Sequence, residues 1–510
     1  MRLISLSSIG ISTCALVASL VFGAGQALAW EKDPDTTAGS ATSVITGLLP
    51  PDATIGNLDT TLPGIGDDAV GIDDSLTSPP ADPADSNPGT TYFVDNHTAS
   101  DDNCPATPYT TIQAGIDASG PGDTVKVCPG TYPEQPLVMG HSHDGLKLES
   151  VKPLEAVVKW PAVDMPSATY PSGSHHLLEI NTANQVTLRG FTITGPFNSG
   201  GCQVDRHEGV LVSNAFDGHI HHNHVTMIQD TNVLLYGCQQ GDAVAIGWRN
   251  FPTPGSARVD HNQVDEYQKN GIQAVNQGTS LKADHNVVTG PNNAGVRAIT
   301  APNGFSIFNK AAATVDHNIV SNNHFARFPL STGIILDESP AGSSRVDHNR
   351  VFNNDYGIES DTQINLEISH NDVFSNTGDG ITLCGDAASL CGAAQDNIVL
   401  KNHITGNGGS GIILYSGTTP SGVSSNLLKD NLIENNGGTP PAILGETNTG
   451  GMHADHYSTN NTILNNHMQD NIAFDCYDES TPGPGTAGTS NTWQGDRGQT
   501  SSPPGICSAS

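Results

Sequence analysis

Three acids stand apart from the rest of the chain. Asp337 ends the run GIILD, Asp361 ends the run YGIESD, and the two are 24 residues apart, with Glu359 between them. If both runs are extended and lie side by side, Asp337 and Asp361 stack about 4.8 Å apart, and Glu359 sits about 7 Å along the same strand face from Asp361. Carboxylates that close repel. Either one of them keeps a proton and its pKa rises, or a cation lies between them. The first state offers Glu359 or Asp361 as a general acid for glycosidic cleavage, with Asp337 as base. The second makes Asp337 and Asp361 ligands of Ca2+, an all-oxygen site suited to holding an anionic polymer. Arg297 is the side chain expected to hold a substrate carboxylate in a fork, and Gln273 and Tyr415 are expected to line the same groove. A weaker second site is the run GMHADH, where His453 and Asp455 share a strand face and His456 does not.

These residues meet only if the chain repeats, and it does. Two markers alternate from about residue 209 onward. One is a small residue opening a short apolar strand, as in Gly271-Ile-Gln-Ala, Gly295-Val-Arg-Ala, Gly333-Ile-Ile-Leu, Gly357-Ile-Glu-Ser, Gly380-Ile-Thr-Leu and Gly411-Ile-Ile-Leu. The other is an Asn followed two residues later by an aliphatic residue: Asn223, Asn262, Asn286, Asn318, Asn349, Asn371, Asn402, Asn431 and Asn466. The steps 271 to 295 and 333 to 357 are 24 residues, and 357 to 380 is 23. Such a period, with strands of period two, marks a β-solenoid whose coils bury alternate apolar residues against one another. Equivalent residues then form columns, and an Asn at every turn forms a hydrogen-bonded ladder. The column His222, His261, His285, His317, His348 and His370 is read as a stack of turn imidazoles needing no metal. Beside it runs a like-charged column, Asp260, Asp284, Asp316 and Asp347.

Composition agrees with this reading. Aromatic residues make up 5% and charged residues 14% of the chain, and there are 56 glycines, which suits short strands and tight turns. The formal net charge of −32, from 52 acids against 20 bases, repels nucleic acid and anionic membranes. Residues 1–29 read as a secretory signal, with Ala27-Leu28-Ala29 preceding the cleavage point, and no later run is apolar enough to span a membrane. Residues 30–90, rich in Asp, Pro, Thr and Gly, read as a disordered linker, and the repeating domain occupies 91–510. Beyond the signal, eight of the nine cysteines remain, an even number that argues for disulfides in an exported protein. Chain order suggests neighbour pairing: Cys104–Cys128, Cys202–Cys238, Cys384–Cys391 and Cys476–Cys507.

The stretch PYTTIQAGIDASGPGDTVKVCPGTYPEQ (108–135) resembles the opening of secreted right-handed parallel β-helix proteins of the pectate-lyase/pectinesterase type. The Asn-x-Val/Ile and Gly-Ile coils are similar to the repeats of that superfamily, and NTWQGDRGQTSSPPGIC (491–507) looks like the closing segment of actinobacterial members. The resemblance implies an all-β, right-handed parallel β-helix of about eleven or twelve coils. It also makes the cysteine pairing more plausible, since Cys202 and Cys238 fall near equivalent positions of successive coils. The superfamily contains lyases, hydrolases, esterases, epimerases and non-catalytic proteins, so the fold alone does not select a reaction. The acid cluster is similar in arrangement to that of polygalacturonases, but the Asn-Thr-Asp, Gly-His-Gly and Arg-Ile-Lys motifs are missing. YGIESD resembles the Tyr-Gly-x-Asp-Pro-His signature of mannuronan epimerases, with Ser360 and Asp361 in place of Pro and His. Two functions follow as expectations. One is a secreted, monomeric protein that cleaves or modifies a uronic-acid polysaccharide, with Ca2+ as the candidate cation. The other is a non-catalytic exported β-helix that binds cell-surface glycan or serves as a rigid module.

Overall fold

The computed structural model describes residues 89–509 except 97–103, 171–172, 202–205, 233–238, 250–252, 292–300, 326–330, 386–390, 418–419, 421 and 439–449. The expected signal 1–29, all but the last two residues of the linker 30–90, the pair Cys202–Cys238 and Arg297 lie outside the described residues.

Three parallel sheets run the length of the domain, of 14, 13 and 12 strands, and we call them A, C and B respectively. Each coil contributes one strand to A, then B, then C, and every strand pairs with its equivalents in the coils before and after it. The shortest sheet sets the number of complete coils at twelve. One apolar core fills the interior from Val94 to Ile506. It is built of columns such as Val259, Ala283, Val315, Val346 and Ile368 in sheet A, each 0% exposed. Full burial of each Val, Ile or Leu contributes about 1.5–3 kcal/mol.

The connection from sheet A to sheet B is two residues long in nine successive coils, from His222-Asn223 to Asn465-Asn466. Its first residue has positive φ, between 52° and 56° for His222, His261, His285, His317, His348 and His370. Asn side chains tolerate that left-handed conformation and imidazoles are also enriched there. The second residue is always Asn. Its Nδ2 donates to the Oδ1 of the next Asn at 2.8–3.1 Å, from Asn223 through Asn431, and Asn466 closes the series on Asp496. The ladder is therefore as expected, and the structure adds two more: Asn323, Asn354, Asn376, Asn407, Asn436 and Asn471, and Asn397, Asn426, Asn461 and Asn491. The imidazoles stack at 4.7–5.2 Å with planes within 6° of parallel. Their Asp neighbours contact these imidazoles at 2.7–3.2 Å, and Arg258 and Arg345 form ion pairs with Asp284 and Asp347.

A short helix, Ile112–Ala118, interrupts this pattern at the start, capped by Thr111, whose Oγ1 accepts from the Ala114 amide at 3.2 Å. Ile112 and Ile116, one turn apart, are fully buried and close the first coil's end of the core. Three of the expected disulfides form, with Cα atoms 5.9, 5.8 and 6.4 Å apart for Cys104–Cys128, Cys384–Cys391 and Cys476–Cys507. Among the described residues no helix is long and apolar enough to cross a membrane.

In those nine coils the A-to-B turn is constant, so the variation in connection length falls on the two flanks of sheet C. One expected coil is placed differently. The strand following Asn270–Val275 in sheet C is Asn303–Phe308, so Ser306 takes the place expected for Arg297. Two glycines, Gly295 and Gly304, both open a plausible strand. The choice falls to the one followed by Phe305 and Ile307, which fill the core at 0% exposure.

Candidate functional site

Sheet C carries the expected acids in the expected register. Asp337 pairs with Asp361, and Glu359 lies in the row Gln273, Ser306, Ile335, Glu359, Thr382. Asp361 continues through Cys384 to Tyr415. Adjacent parallel strands set the two aspartate backbones about 4.8 Å apart.

Their environment is not the open groove expected from the sequence. Asp337, Glu359 and Asp361 are 5%, 4% and 2% exposed. The outward face of a strand is open only if nothing folds over it, and from Asp242 to Ala454 the connections entering and leaving sheet C are all longer than the two-residue A-to-B turn. Loop 160–170 shows the effect at one end, where Tyr170 packs with Leu211, Ala245 and Trp248.

Burial governs the chemistry of the acids. Asp337 is pushed from 3.8 up to about 7, first by desolvation and then by the charges of Glu338 and Glu359, against a hydrogen bond from Thr362. Burial also raises Glu359, opposed by the Thr332 hydroxyl, which donates to its Oε2 at 2.8 Å. Asp361 is raised well above the ordinary range, first by burial and then by the neighbouring Glu359 and Asp337. Its Oδ1 is buried with no hydrogen-bond partner. Among the described residues no ion pair neutralises any of the three.

The sign of the resulting pH dependence follows. Asp337 holds its proton in the folded chain to about pH 7 but loses it near pH 4 when unfolded. Between those values the folded state binds more protons, so its contribution to stability is present at low pH and is lost as pH rises. A rise from 3.8 to about 7 is worth roughly 4 kcal/mol over that window. Asp337→Asn removes the ionisation, so its melting temperature should gain on wild type steadily between pH 5 and pH 8. A constant difference would show that the carboxyl is already ionised and neutralised by other means.

Gln273 is 1% exposed and accepts a hydrogen bond from Asn270 at 3.1 Å. Tyr415 is 7% exposed and packs on the Cys384–Cys391 disulfide with Ile413. Neither presents a free surface to solvent. The second candidate does not converge: the Asp455 carboxylate accepts from the amides of Ser416, Gly417 and Tyr457, a loop-fixing role. His453 and His456 turn to Glu479 instead, at its Oε1 and its carbonyl respectively.

Sequence reading missed a polar series along sheet C that leads to Glu359. His176, Glu208, Asp242, Asn270, Asn303 and Thr332 lie on six successive strands, all 6% exposed or less, and Glu359 lies on the seventh. His176 Nδ1 meets Glu208 Oε2 at 2.8 Å, Asn270 donates to Asp242 Oδ1 at 2.7 Å, and the Thr332 amide donates to Asn303 Oδ1 at 3.1 Å. Glu208 and Asp242, stacked and buried, are both raised by desolvation. The available signal was the pair of runs SHHLLEIN and RHEGVLVS, which align His-His over His-Glu. The first lacks the opening glycine and so escaped the repeat.

The profile of the right handed beta helix region matches residues 299–423. The chain folds as a right-handed parallel β-helix. Among solved structures it is similar to the Dettilon tailspike protein, at 15% identity over 73% of this chain and 66% of that one, with a TM-score of 0.50. The A-module of an Azotobacter vinelandii mannuronan C-5 epimerase aligns at 15% identity over 70% and 89% of the two chains, with a TM-score of 0.48. A pectate lyase aligns at 13% identity over 74% and 76%, with a TM-score of 0.33. No curated protein matches the sequence. At such identities the likeness is one of fold.

Proposed function

We propose that this β-helix is an exported protein that cleaves or modifies a uronic-acid polysaccharide at the Asp337–Glu359–Asp361 cluster. One observation carries the reading: three carboxyls on two adjacent strands, with Asp337 held at about 7, keep protons available near neutral pH. Asp361, whose pKa burial raises well above the carboxylate range, is assigned as the general acid, and Asp337, held at about 7, as the base. The donor set is also all oxygen, and the unpartnered Oδ1 of Asp361 is an atom that Ca2+ would satisfy. Asp337 and Asp361 would be its ligands, and the ion would supply charge neutralisation for an anionic polymer. Three disulfides are consistent with export to an oxidising compartment.

Burial favours a second reading. Acids 2–5% exposed can serve as protonated hydrogen-bonding groups of a non-catalytic module that binds glycan elsewhere on its surface. Incubating the protein with pectate, pectin, alginate and neutral glycans, with Ca2+ and with chelator, separates the two. Unsaturated ends that need Ca2+ identify a lyase, reducing ends alone a hydrolase, released methanol an esterase, and a changed uronate composition an epimerase. No change in any polymer favours the non-catalytic module.

A further inference from the structure

At the start of sheet C, two imidazoles and a carboxylate from three separate elements converge. His175 lies in strand Ser174–Asn181, His207 in strand Arg206–Ser213, and the two are register partners. Their rings stack at 4.7 Å and 12°. The carboxylate comes from Asp164, in the loop that crosses the sheet between Ala156–Lys159 and Ser174–Asn181. A single oxygen, Asp164 Oδ2, stands 3.0 Å from His175 Nδ1 and 3.1 Å from His207 Nε2. All three candidate ligand atoms lie within 4.8 Å of one another.

The site is held in place rather than assembled by chance on a mobile surface. Gln135 clamps the loop beside Asp164 from both directions: its Nε2 donates to the Met165 carbonyl at 3.0 Å and its Oε1 accepts from the Met165 amide at 2.9 Å. Ser167 ties the loop to Glu179 at 2.7 Å. His207 is fixed between His175 and Phe197, whose ring stacks on it at 4.2 Å. The Asp164 and His175 side chains are 17% and 15% exposed, so one side of the cluster remains reachable from solvent.

We propose that Asp164, His175 and His207 form a transition-metal site of Zn2+ type, with a fourth position open to solvent. Two imidazoles and one carboxylate are a donor set that Zn2+ takes readily. An ion about 2.0–2.1 Å from each ligand in tetrahedral geometry spaces the ligand atoms about 3.3 Å apart, within a few tenths of the 3.0 and 3.1 Å observed. The histidine turn column differs. Its imidazoles are 35–50% exposed on one constant turn, and most meet the Asp that precedes them in sequence. The metal site is also separate from the acid cluster, four strands further along the sheet, about 19 Å at 4.8 Å per strand.

The test uses the intact protein, stripped with chelator and dialysed. Titration with Zn2+ should show one tight ion per chain and a rise in melting temperature, and Co2+ should give the visible absorption of a four-coordinate site. Asp164→Asn and His175→Ala should each weaken Zn2+ binding by roughly 100-fold or more while melting like wild type in chelator. His317→Asn with His348→Asn, in the turn column, should leave that tight ion in place. The proposal is overturned if wild type binds no stoichiometric Zn2+, if the Asp164 and His175 variants bind as wild type does, or if the turn-column variant alone loses the ion.

Discussion

Asp337→Asn combined with Asp361→Asn is expected to reduce turnover of a uronic-acid polymer by roughly 10²–10⁴-fold, the range that general acid–base groups supply. The two residues are register partners on adjacent strands, and each holds its proton above the usual carboxylate range because burial and the other acids disfavour charge. Asparagine keeps the volume and a hydrogen-bonding group but neither ionises nor transfers a proton. The same pair removes a destabilising cluster of buried acids, so the variant should melt at or above the wild-type temperature at pH 8. Lost activity with unimpaired stability is therefore the signature of a catalytic role. In wild type the pH profile should carry an inflection near 7, set by Asp337, and that inflection should vanish in Asp337→Asn. Retained activity in the double variant would remove all three acids from the mechanism and leave them as buried polar groups.

Asn349→Ala is expected to be among the most destabilising single changes in the chain. Its Oδ1 accepts from the Asn318 amide and side chain at 2.9 and 3.0 Å. Its Nδ2 donates to the carbonyls of Val315 and Asp347 and to Asn371 at 2.8–3.0 Å. Alanine takes the acceptor from the buried Asn318 amide and a donor from the Val315 carbonyl, both in the preceding coil, while the Asp347 carbonyl still accepts from the His317 amide. At about 1–3 kcal/mol for each unsatisfied group, the loss is on the order of 3–5 kcal/mol. The neighbouring His348→Asn should change little, since that side chain is half-exposed, its turn position has a φ of 52°, and Asn accepts this conformation. Thermal melting of the two variants side by side tests the contrast. Equal melting temperatures would mean that the ladder contributes little beyond what the stacked strands already supply.

The difference between those two adjacent residues shows what was readable in the sequence. Asn349 and its counterparts recur because each coil needs the same turn, and a repeated local requirement leaves a repeated local signal. The imidazole stack and the pairing of Asp337 with Asp361 follow from the same spacing, while the three disulfides were expected from chain order alone. Arg297 shows where the signal fails. Gly295 and Gly304 were equally good strand openers by local pattern, and the coil settled on the run whose Phe305 and Ile307 fill the core. The helix Ile112–Ala118 was missed for a related reason: it occurs once, and its purpose is to close an end that only the assembled core possesses.

Periodicity determined the β-solenoid, the register of most coils and the identity of the acid row, because it converts directly into columns of stacked residues, and the resemblance to pectate-lyase-type proteins implied the right-handed parallel β-helix. Whether a column faces water was decided by tertiary structure alone. Strand alternation says that Asp337, Glu359 and Asp361 point outward, but the connections flanking sheet C are longer than the A-to-B turns and the row is buried. Burial turned an expected open row of carboxylates into protonated acids, since desolvation outweighs every hydrogen bond that favours their charge. The convergence of Asp164 with His175 and His207 was likewise invisible in the chain. It depends on a non-repeating loop laid across the sheet and clamped by Gln135, a contact between residues about thirty positions apart that no period records.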